Sequence, residues 1–521
     1  MRVSSLNRST VLVELADLDA VLALHASLVR TPLAGVHEIV PAARTLMLRF
    51  DPARWSRQTL AAALAQCDLS GATSDRGPSV EIPMRYDGED LAEVAQLCGL
   101  SVDEVIRRHG AREYTVAFCG FSPGFGYLVG GDPMLQVPRR STPRTRVPAG
   151  SVALGGVYCG VYPQASPGGW QLIGTTSIPM WHVERTTPAI LTPGTRVKFV
   201  ERDSVPSIEI TPKEKSLIEP YLKVTAAALP ALVQDLGRPG HAAIGVTASG
   251  ALDRGSLRAA NAMVGNPPDV AALEIALGNF ACEIFGDTEI ALAGAAVPII
   301  VTRASGEIFD AVMQKAIGLR SGDRVKLGYP PRGVRTYLAV RGGFDAPKIL
   351  GSSSSDVLAA LGPAPLVKGS LVSIGRGSVE RATTASRPAP SAPHAAQTLP
   401  KSDDVVVLDI FAGPRADWFG SGVLENFCTQ VWRVTPRSNR VGLRLHGETP
   451  LMRQRTEELP SEGLTSGAIQ VPHDGQPVLL LADHPVTGGY PVIAIVAEHH
   501  LDLAGQIPPS AKIRFRMLAD L

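Results

Sequence analysis

Three stretches of the 521-residue chain concentrate the side chains that could do chemistry. The first joins Phe121-Ser-Pro-Gly-Phe-Gly-Tyr-Leu128, Pro138-Arg-Arg-Ser-Thr-Pro-Arg-Thr-Arg-Val-Pro-Ala-Gly150 and the run from Tyr162 to Gly174 (YPQASPGGWQLIG). Arg139, Arg140, Arg144 and Arg146 place four guanidinium groups within eight residues. Such groups recognise carboxylate or phosphate by paired hydrogen bonds. The same run also reads as a solvated basic loop paired with nearby acids. The second stretch, Gln234-Asp-Leu-Gly-Arg-Pro-Gly240 through Ser249-Gly-Ala-Leu-Asp253, brings Asp235, Arg238, Asp253 and Asn261 close to glycine turns. These are either pocket residues or turn and cap residues, because aspartates before glycines commonly make side-chain turns. The third joins Ser438-Asn-Arg-Val-Gly-Leu-Arg444, Ser461-Glu-Gly463, Gly467-Ala-Ile-Gln-Val-Pro472 and Asp483-His-Pro-Val-Thr-Gly-Gly-Tyr490. Within it His484 has the chemistry of a general base near neutral pH, or that of a structural hydrogen bonder. His499 and His500 are adjacent, so on a strand their rings would face opposite ways, and no metal site is expected. The sequence has no GxxxxGK[ST] phosphate loop, HExxH, GxSxG, strand–GxGxxG–helix unit or Ala-Met-Lys-Met biotin segment.

The elements that must position these groups are mostly short strands. Residues 1–78 read as a small α+β unit, with helices over 18–29 and 56–66, Asp17 as an N-cap, and strands over 36–40 and 45–50. Helices over 90–97 and 102–108 open the next unit, 79–203, the second with a Ser101-x-x-Glu104 capping box. The polar segment 204–221 is a linker between two halves. The second half holds a helix over 254–264, which Asp253 could cap, and strands over 289–292, 324–327, 335–340, 405–410, 478–481, 493–496 and 512–516. A Pro/Ala/Ser linker at 382–400 divides it into 222–381 and 401–521.

Composition narrows the classes. Lys plus Arg number 50 against 49 Asp plus Glu, which removes the broad electrostatic attraction of a nucleic-acid or membrane-surface binder. Gly 51 and Pro 42 with 5% aromatics favour many strands joined by tight turns. No apolar run approaches the roughly 20 residues of a membrane helix, and Glu14, Asp17 and Asp19 interrupt what would be a signal-peptide core. A cytoplasmic protein is expected, with its six scattered cysteines free.

Taken together, the three stretches resemble a known pair. PGFGYL, PRRSTPRTRVPAGSV and YPQASPGGWQLIGTT, with Tyr86, Asp90-Leu91 and His109, are similar to the B subunit of bacterial 5-oxoprolinase, also called the Kip inhibitor or allophanate hydrolase subunit 1. VQDLGRPG, SGALD, SNRVGLRL, GAIQVPHDGQPV and TGGYP resemble the C subunit, the Kip antagonist or allophanate hydrolase subunit 2. The chain reads as a B–C fusion. Three departures stand out: Tyr86-Asp-Gly-Glu-Asp-Leu91 lacks the usual Gly-Pro, Asp483-His-Pro replaces Asp-Arg-Gln, and Ala364-Pro-Leu-Val-Lys-Gly369 replaces a Gly-Arg-x-Leu run.

The resemblance implies a mainly β protein: a small N-terminal α+β domain and cyclophilin-like β-barrels, one in the first half and two in the second. It implies ATP, with magnesium, as cofactor, a separate A-type 5-oxoprolinase subunit as partner, and a lactam, 5-oxoproline, opened to glutamate. No covalent biotin site, nucleic acid or membrane is implied, and homo-oligomerisation is left open. Within this reading Arg139, Arg144, Arg440 and Arg444 handle anions, and His109, Asp483 and His484 transfer or orient protons. Asn439, Glu462 and Gln470 shape a pocket where the halves meet, with Asp235, Arg238, Asp253, Asn261 and Tyr490 as further binding residues. The alternatives are a biotin-dependent carboxyltransferase of the urea carboxylase type and a non-catalytic regulator of a histidine kinase. Fold alone does not choose between them.

Overall fold

The computed structural model describes residues 1–69, 77–202, 219–375 and 398–519. Most of the two expected linkers lies outside these residues. The chain opens on a four-stranded antiparallel sheet in the order Arg2–Asn7, Thr10–Glu14, Thr45–Phe50, Val36–Pro41. Helices Leu18–Arg30 and Arg57–Ala65 cover its apolar face. Asp17 caps the first as expected, its carboxylate accepting from Ala20 N at 2.9 Å; the second starts one residue later than expected, because Ser56 leaves the helix to form a reciprocal cap with Thr59.

The next unit is a seven-stranded sheet, ordered Gln171–Thr175, Ser151–Gly155, Tyr158–Val161, Gly126–Val129, Glu113–Cys119, Arg196–Glu201, Ser79–Met84. Helices Leu91–Cys98 and Val102–Ala111 precede most of it in the chain. The expected capping box forms only in half: Ser101 Oγ accepts from Glu104 N at 3.2 Å, but the Glu104 carboxylate turns to Arg107 and Arg108. Two guanidinium groups at helical spacing out-compete one backbone amide for that carboxylate.

In the second half, a six-stranded and a five-stranded sheet enclose one core that includes Leu222, Leu273, Phe280, Leu292 and Leu338. Helix Arg254–Met263 packs on the five-stranded sheet. The last unit is a closed barrel of seven strands, from Val405–Ala412 to Lys512–Met517, which run parallel and seal the ring. Trp432, Phe427, Leu408, Ile493 and Ile513 fill it. The protein is mostly β with barrel-like sheets, as expected. No described helix is long and apolar enough to cross a membrane.

His499 and His500 depart from expectation. They lie on a short 3₁₀ turn, Glu498–His500, with ring centroids 4.3 Å apart, and both face the Asp409 carboxylate. That carboxylate also accepts from Arg516 Nε at 2.6 Å, and His500 Nδ1 accepts the Asp409 amide at 2.8 Å. Asp409 therefore has a resident cation, and one imidazole lone pair is already used.

Candidate functional site between the two halves

Direct contacts seat the first half on the second. Glu38 Oε1 accepts from Gly240 N and Ala242 N at 3.1 and 3.0 Å. Ala43 N donates to Ser461 O at 3.1 Å, and Arg415 Nη1 pairs with Glu14 at 2.9 Å. Three loops meet here, around 120–125, 240–250 and 483–488. A Cβ on Gly120 would lie 2.0 Å from Thr487 Oγ1, and one on Gly245 would lie 2.6 Å from Ser122 O. Glycine at both positions lets the loops close on each other.

Most of the charged residues expected to bind ligand are committed to scaffolding. Asp90, almost fully buried, accepts from Arg140 Nη1 at 2.8 Å, from Arg144 Nη1 and Nη2 at 2.9 and 2.7 Å, and from Leu172 N at 2.7 Å. Arg144 also meets Glu89 at 3.1 Å. The basic loop is thus, for Arg140 and Arg144, a set of ion pairs to acids 50 and more residues away in sequence.

Asp235 holds the serine loop 352–355 and its own turn, accepting from Ser352 Oγ, Ser353 N, Ser354 Oγ and Gly237 N at 2.6–2.7 Å. Arg238 is 1% exposed and donates to Ile349 O and Ser354 O. Asp253 caps its helix through Ser256 N at 2.8 Å and also takes Gln506 Nε2. Asn261 binds Val270 O and Asn266. For this stretch the turn-and-cap reading describes the local structure.

Arg440 is the centre of a buried ion network joining the two units of the second half. Its Nε and Nη2 grip Asp483 at 2.9 and 3.0 Å, Nη1 meets Glu274 at 2.6 Å, and Nη2 also donates to Gly250 O. Glu274 further accepts from Arg335 Nε and the Tyr337 hydroxyl. Burial alone would raise the Glu274 pKa, but the Arg440 and Arg335 charges outweigh it and hold the group below its ordinary value. Asp483 also takes Ser249 Oγ at 2.6 Å and Val357 N at 3.1 Å. Beside it Asp356 has no guanidinium contact; it accepts from Thr247 Oγ1, Leu358 N and Ala359 N. Burial first, and then the Asp483 charge, push Asp356 up to about 6.

Glu462 likewise is spent, gripped by Arg415. Burial raises its pKa despite that partner. Asn439 closes a turn onto Val441 N, and Gln470 donates to Tyr490 O. His109, expected to move protons, lies in the core of the 79–202 unit. It is fully buried against Phe199 and Tyr114, with Nδ1 2.8 Å from the Tyr86 hydroxyl and Nε2 3.4 Å from Cys159. Burial drives its pKa down to about 3, so it is a neutral core residue.

Five of the expected residues keep unspent chemistry, Arg238 among them through a buried Nη1 without a hydrogen-bond partner. Arg139 and Arg444 are exposed, and the guanidinium of neither makes a hydrogen bond or ion pair to a described residue. Tyr490 is 41% exposed beside His473 and Arg453. His484 is nearly buried; its Nδ1 lies 2.8 Å from Pro485 O, and that carbonyl can only accept. Nδ1 therefore carries the proton and Nε2 presents its lone pair, with no described partner. Burial lowers the His484 pKa, which keeps the ring neutral and basic at Nε2. On the 120–125 loop and beside it, buried Ser122 Oγ and Trp181 Nε1 have no hydrogen-bond partner, while the Thr487 hydroxyl faces that of Tyr127. Unpaired buried polar atoms are uncommon in native folds. Sequence reasoning missed Ser122, Thr487 and Trp181, although the first two lie inside motifs it had singled out.

A mostly β chain with barrel-like sheets and a polar junction between two halves has clear relatives. Residues 244–517 match the family model "Carboxyltransferase domain, subdomain A and B", and residues 1–191 match "Carboxyltransferase domain, subdomain C and D". The chain belongs to the carboxyltransferase-domain family. It is 34% identical over 299 residues to the C subunit of 5-oxoprolinase from Escherichia coli K12, covering 56% of this chain and 90% of that relative. It is 52% identical over 124 residues to the B subunit of 5-oxoprolinase from Escherichia coli O157:H7, covering 23% of this chain and 57% of that relative. Urea amidolyase of Lachancea kluyveri is 32% identical over 56% of this chain, which corresponds to 17% of that protein. The crystal structure of TTHA0988 superposes with a TM-score of 0.80 at 34% identity, over 97% of this chain and 99% of that one. The chain is thus homologous to enzyme components: the B and C subunits of 5-oxoprolinase and the carboxyltransferase region of urea amidolyase.

Proposed function

We propose that the chain is the fused B–C component of an ATP-dependent 5-oxoprolinase, which opens 5-oxoproline to glutamate together with a separate A-type subunit. The observation that carries this reading is that segments similar to the B and C subunits of one enzyme follow each other in a single chain and pack together through Glu38, Ala43 and Arg415. His484 Nε2 takes the proton of the water that adds to the lactam carbonyl carbon. The ring C–N bond then breaks, and the nitrogen takes up the proton and leaves as the amine of glutamate. A neutral base with a free lone pair in a low-dielectric setting suits that step.

Two of the four arginines expected to handle phosphate are already spent inside the protein. Arg144 and Arg440, expected to hold phosphate, are saturated by Asp90, Asp483 and Glu274, and the sequence has no glycine-rich phosphate loop. We propose that ATP and its metal bind the A-type subunit. The test is glutamate formation from 5-oxoproline and ATP by this chain mixed with an A-type subunit, wild type against His484→Asn. Glutamate from the wild-type pair, absent with the variant, supports the proposal; no glutamate from a demonstrably assembled pair refutes it. A carboxyltransferase reading with a biotinylated carrier is supported by the urea amidolyase similarity. It requires carboxyl transfer from carboxybiotin and no glutamate.

A further inference from the structure

We propose that Arg453, Arg455, His473 and Tyr490 form a surface site for a phosphate group on the last barrel, one that does not use His484. This goes beyond the 5-oxoprolinase reading and does not depend on it.

The GAIQVPHDGQPV and TGGYP motifs meet here. Val471 N donates to Pro491 O at 3.0 Å, and Gln470 Nε2 donates to Tyr490 O at 3.1 Å. This pairing sets the His473 ring perpendicular to Tyr490, with centroids 5.7 Å apart. Arg453 joins both motifs: its Nη2 donates to Val471 O, and its guanidinium carbon lies 5.8 Å from the centre of the Tyr490 ring. The segment that carries Arg453 is tied to the Trp418 turn. Phe419 and Arg453 form an isolated antiparallel bridge, and Gln454 N donates to Trp418 O at 2.9 Å. The Arg455 guanidinium then lies over the Trp418 ring at 5.7 Å. Two residues separate the arginines in sequence, so their Cα atoms are at most about 7 Å apart.

Stacking on a ring occupies the face of a guanidinium and leaves its in-plane N–H groups free for an anion. Neither arginine forms an ion pair with a described residue, although Glu457 and Glu458 follow Arg455 and Asp474 follows His473. The Arg455 guanidinium makes no hydrogen bond to a described residue either. Arg453 Nε and Trp418 Nε1 are buried without an acceptor. The cluster therefore holds more donors than the protein supplies with acceptors. Arg455, His473 and Tyr490 are exposed, so solvent and ligand reach it. A phosphate brings several acceptor oxygens and close to two negative charges, which matches two neighbouring guanidiniums; a carboxylate satisfies one.

The experiment is calorimetric titration of the full chain with inorganic phosphate and with phenyl phosphate at low salt, with acetate at matched ionic strength for comparison. The expected result is saturable phosphate binding, tighter than that of acetate. It should weaken roughly tenfold or more in Arg453→Met and in Arg455→Met, the size of one lost charge-assisted contact. Arg514→Met removes an exposed arginine without a described partner from the closing strand of the same barrel, and should bind like the wild type. Phenyl phosphate binding more tightly than phosphate supports the site with a phosphate ester as its ligand; equal affinity supports it with free phosphate. Arg455 makes no side-chain hydrogen bond to a described residue, so Arg455→Met should unfold at the wild-type temperature. Should Arg453→Met lose stability with its Val471 contact, Arg455→Met alone decides. No saturable binding by the folded wild type, equal affinity in Arg455→Met, an equal loss in Arg514→Met, or acetate binding as tightly as phosphate overturns the site. The readout is binding by this chain alone, so glutamate formation has no bearing on it.

Discussion

Replacing Arg440 by alanine tests whether that guanidinium is a ligand hand or a structural bolt. In the structure it is 5% exposed, and its donors are divided between Asp483, Glu274 and Gly250 O. Removing it leaves Glu274 with Arg335 and Tyr337, but leaves Asp483 with only a serine hydroxyl and an amide, beside the unpaired Asp356. Breaking a buried pair from one side costs about 3–5 kcal/mol, because the remaining charge is neither solvated nor compensated. The sign with pH follows from the carboxylates. In the wild type Glu274 has a depressed pKa, so its contribution is complete above the ordinary value near 4.5 and is lost only as pH falls through the lower folded value. In Arg440→Ala the stranded carboxylates have raised values instead and regain neutrality by protonation as pH drops. The destabilisation should therefore be full at pH 8 and smaller at pH 5. Urea unfolding followed by tryptophan fluorescence reads this, since Trp418 and Trp432 both report on the last barrel. A loss under about 1 kcal/mol at pH 8, or one that grows toward pH 5, refutes the bolt and restores Arg440 as a candidate for anion binding.

Other perturbations separate scaffold from chemistry. Asp356→Asn should remove a penalty that the wild type incurs as pH rises from about 4 to about 6 and retains above it, stabilising the protein by up to ~2 kcal/mol at pH 8 and little at pH 4; parallel stability–pH curves for the two proteins would contradict this. His484→Asn keeps a donor for Pro485 O and should unfold like the wild type, yet lower turnover by roughly 10²–10⁴-fold if the ring is the base; retained turnover removes it from that role. Asp90→Ala frees two guanidinium groups and the Leu172 amide at once and should cost about 3 kcal/mol or more, read as a lowered unfolding midpoint. An imidazole NMR titration should show His109 neutral from pH 8 down to pH 5, with no inflection in that range.

What the sequence could reveal depended on how far the answer lay along the chain. Asp17, Ser101 and Asp253 were recognisable as helix caps because the amide each one binds is three residues away. The glycine-dense motifs were legible for a similar reason: a turn that must pass within van der Waals reach of another loop tolerates no side chain, as at Gly120 and Gly245. The fate of an arginine was not legible, because a guanidinium advertises anion binding without naming the anion. Arg144 finds Asp90 across 54 residues, and Arg440 finds Glu274 across 166. Both carboxylates come from elements whose placement depends on the assembled sheets. The same long-range pairing supplies the discriminating information in reverse. Of the four arginines expected to handle anions, Arg139 and Arg444 are left without an internal acid and have charge to offer a ligand. Subtracting satisfied groups from a motif is thus a sharper guide to a binding site than the motif itself, because a buried charge network fully paired within the protein has no valence left for substrate.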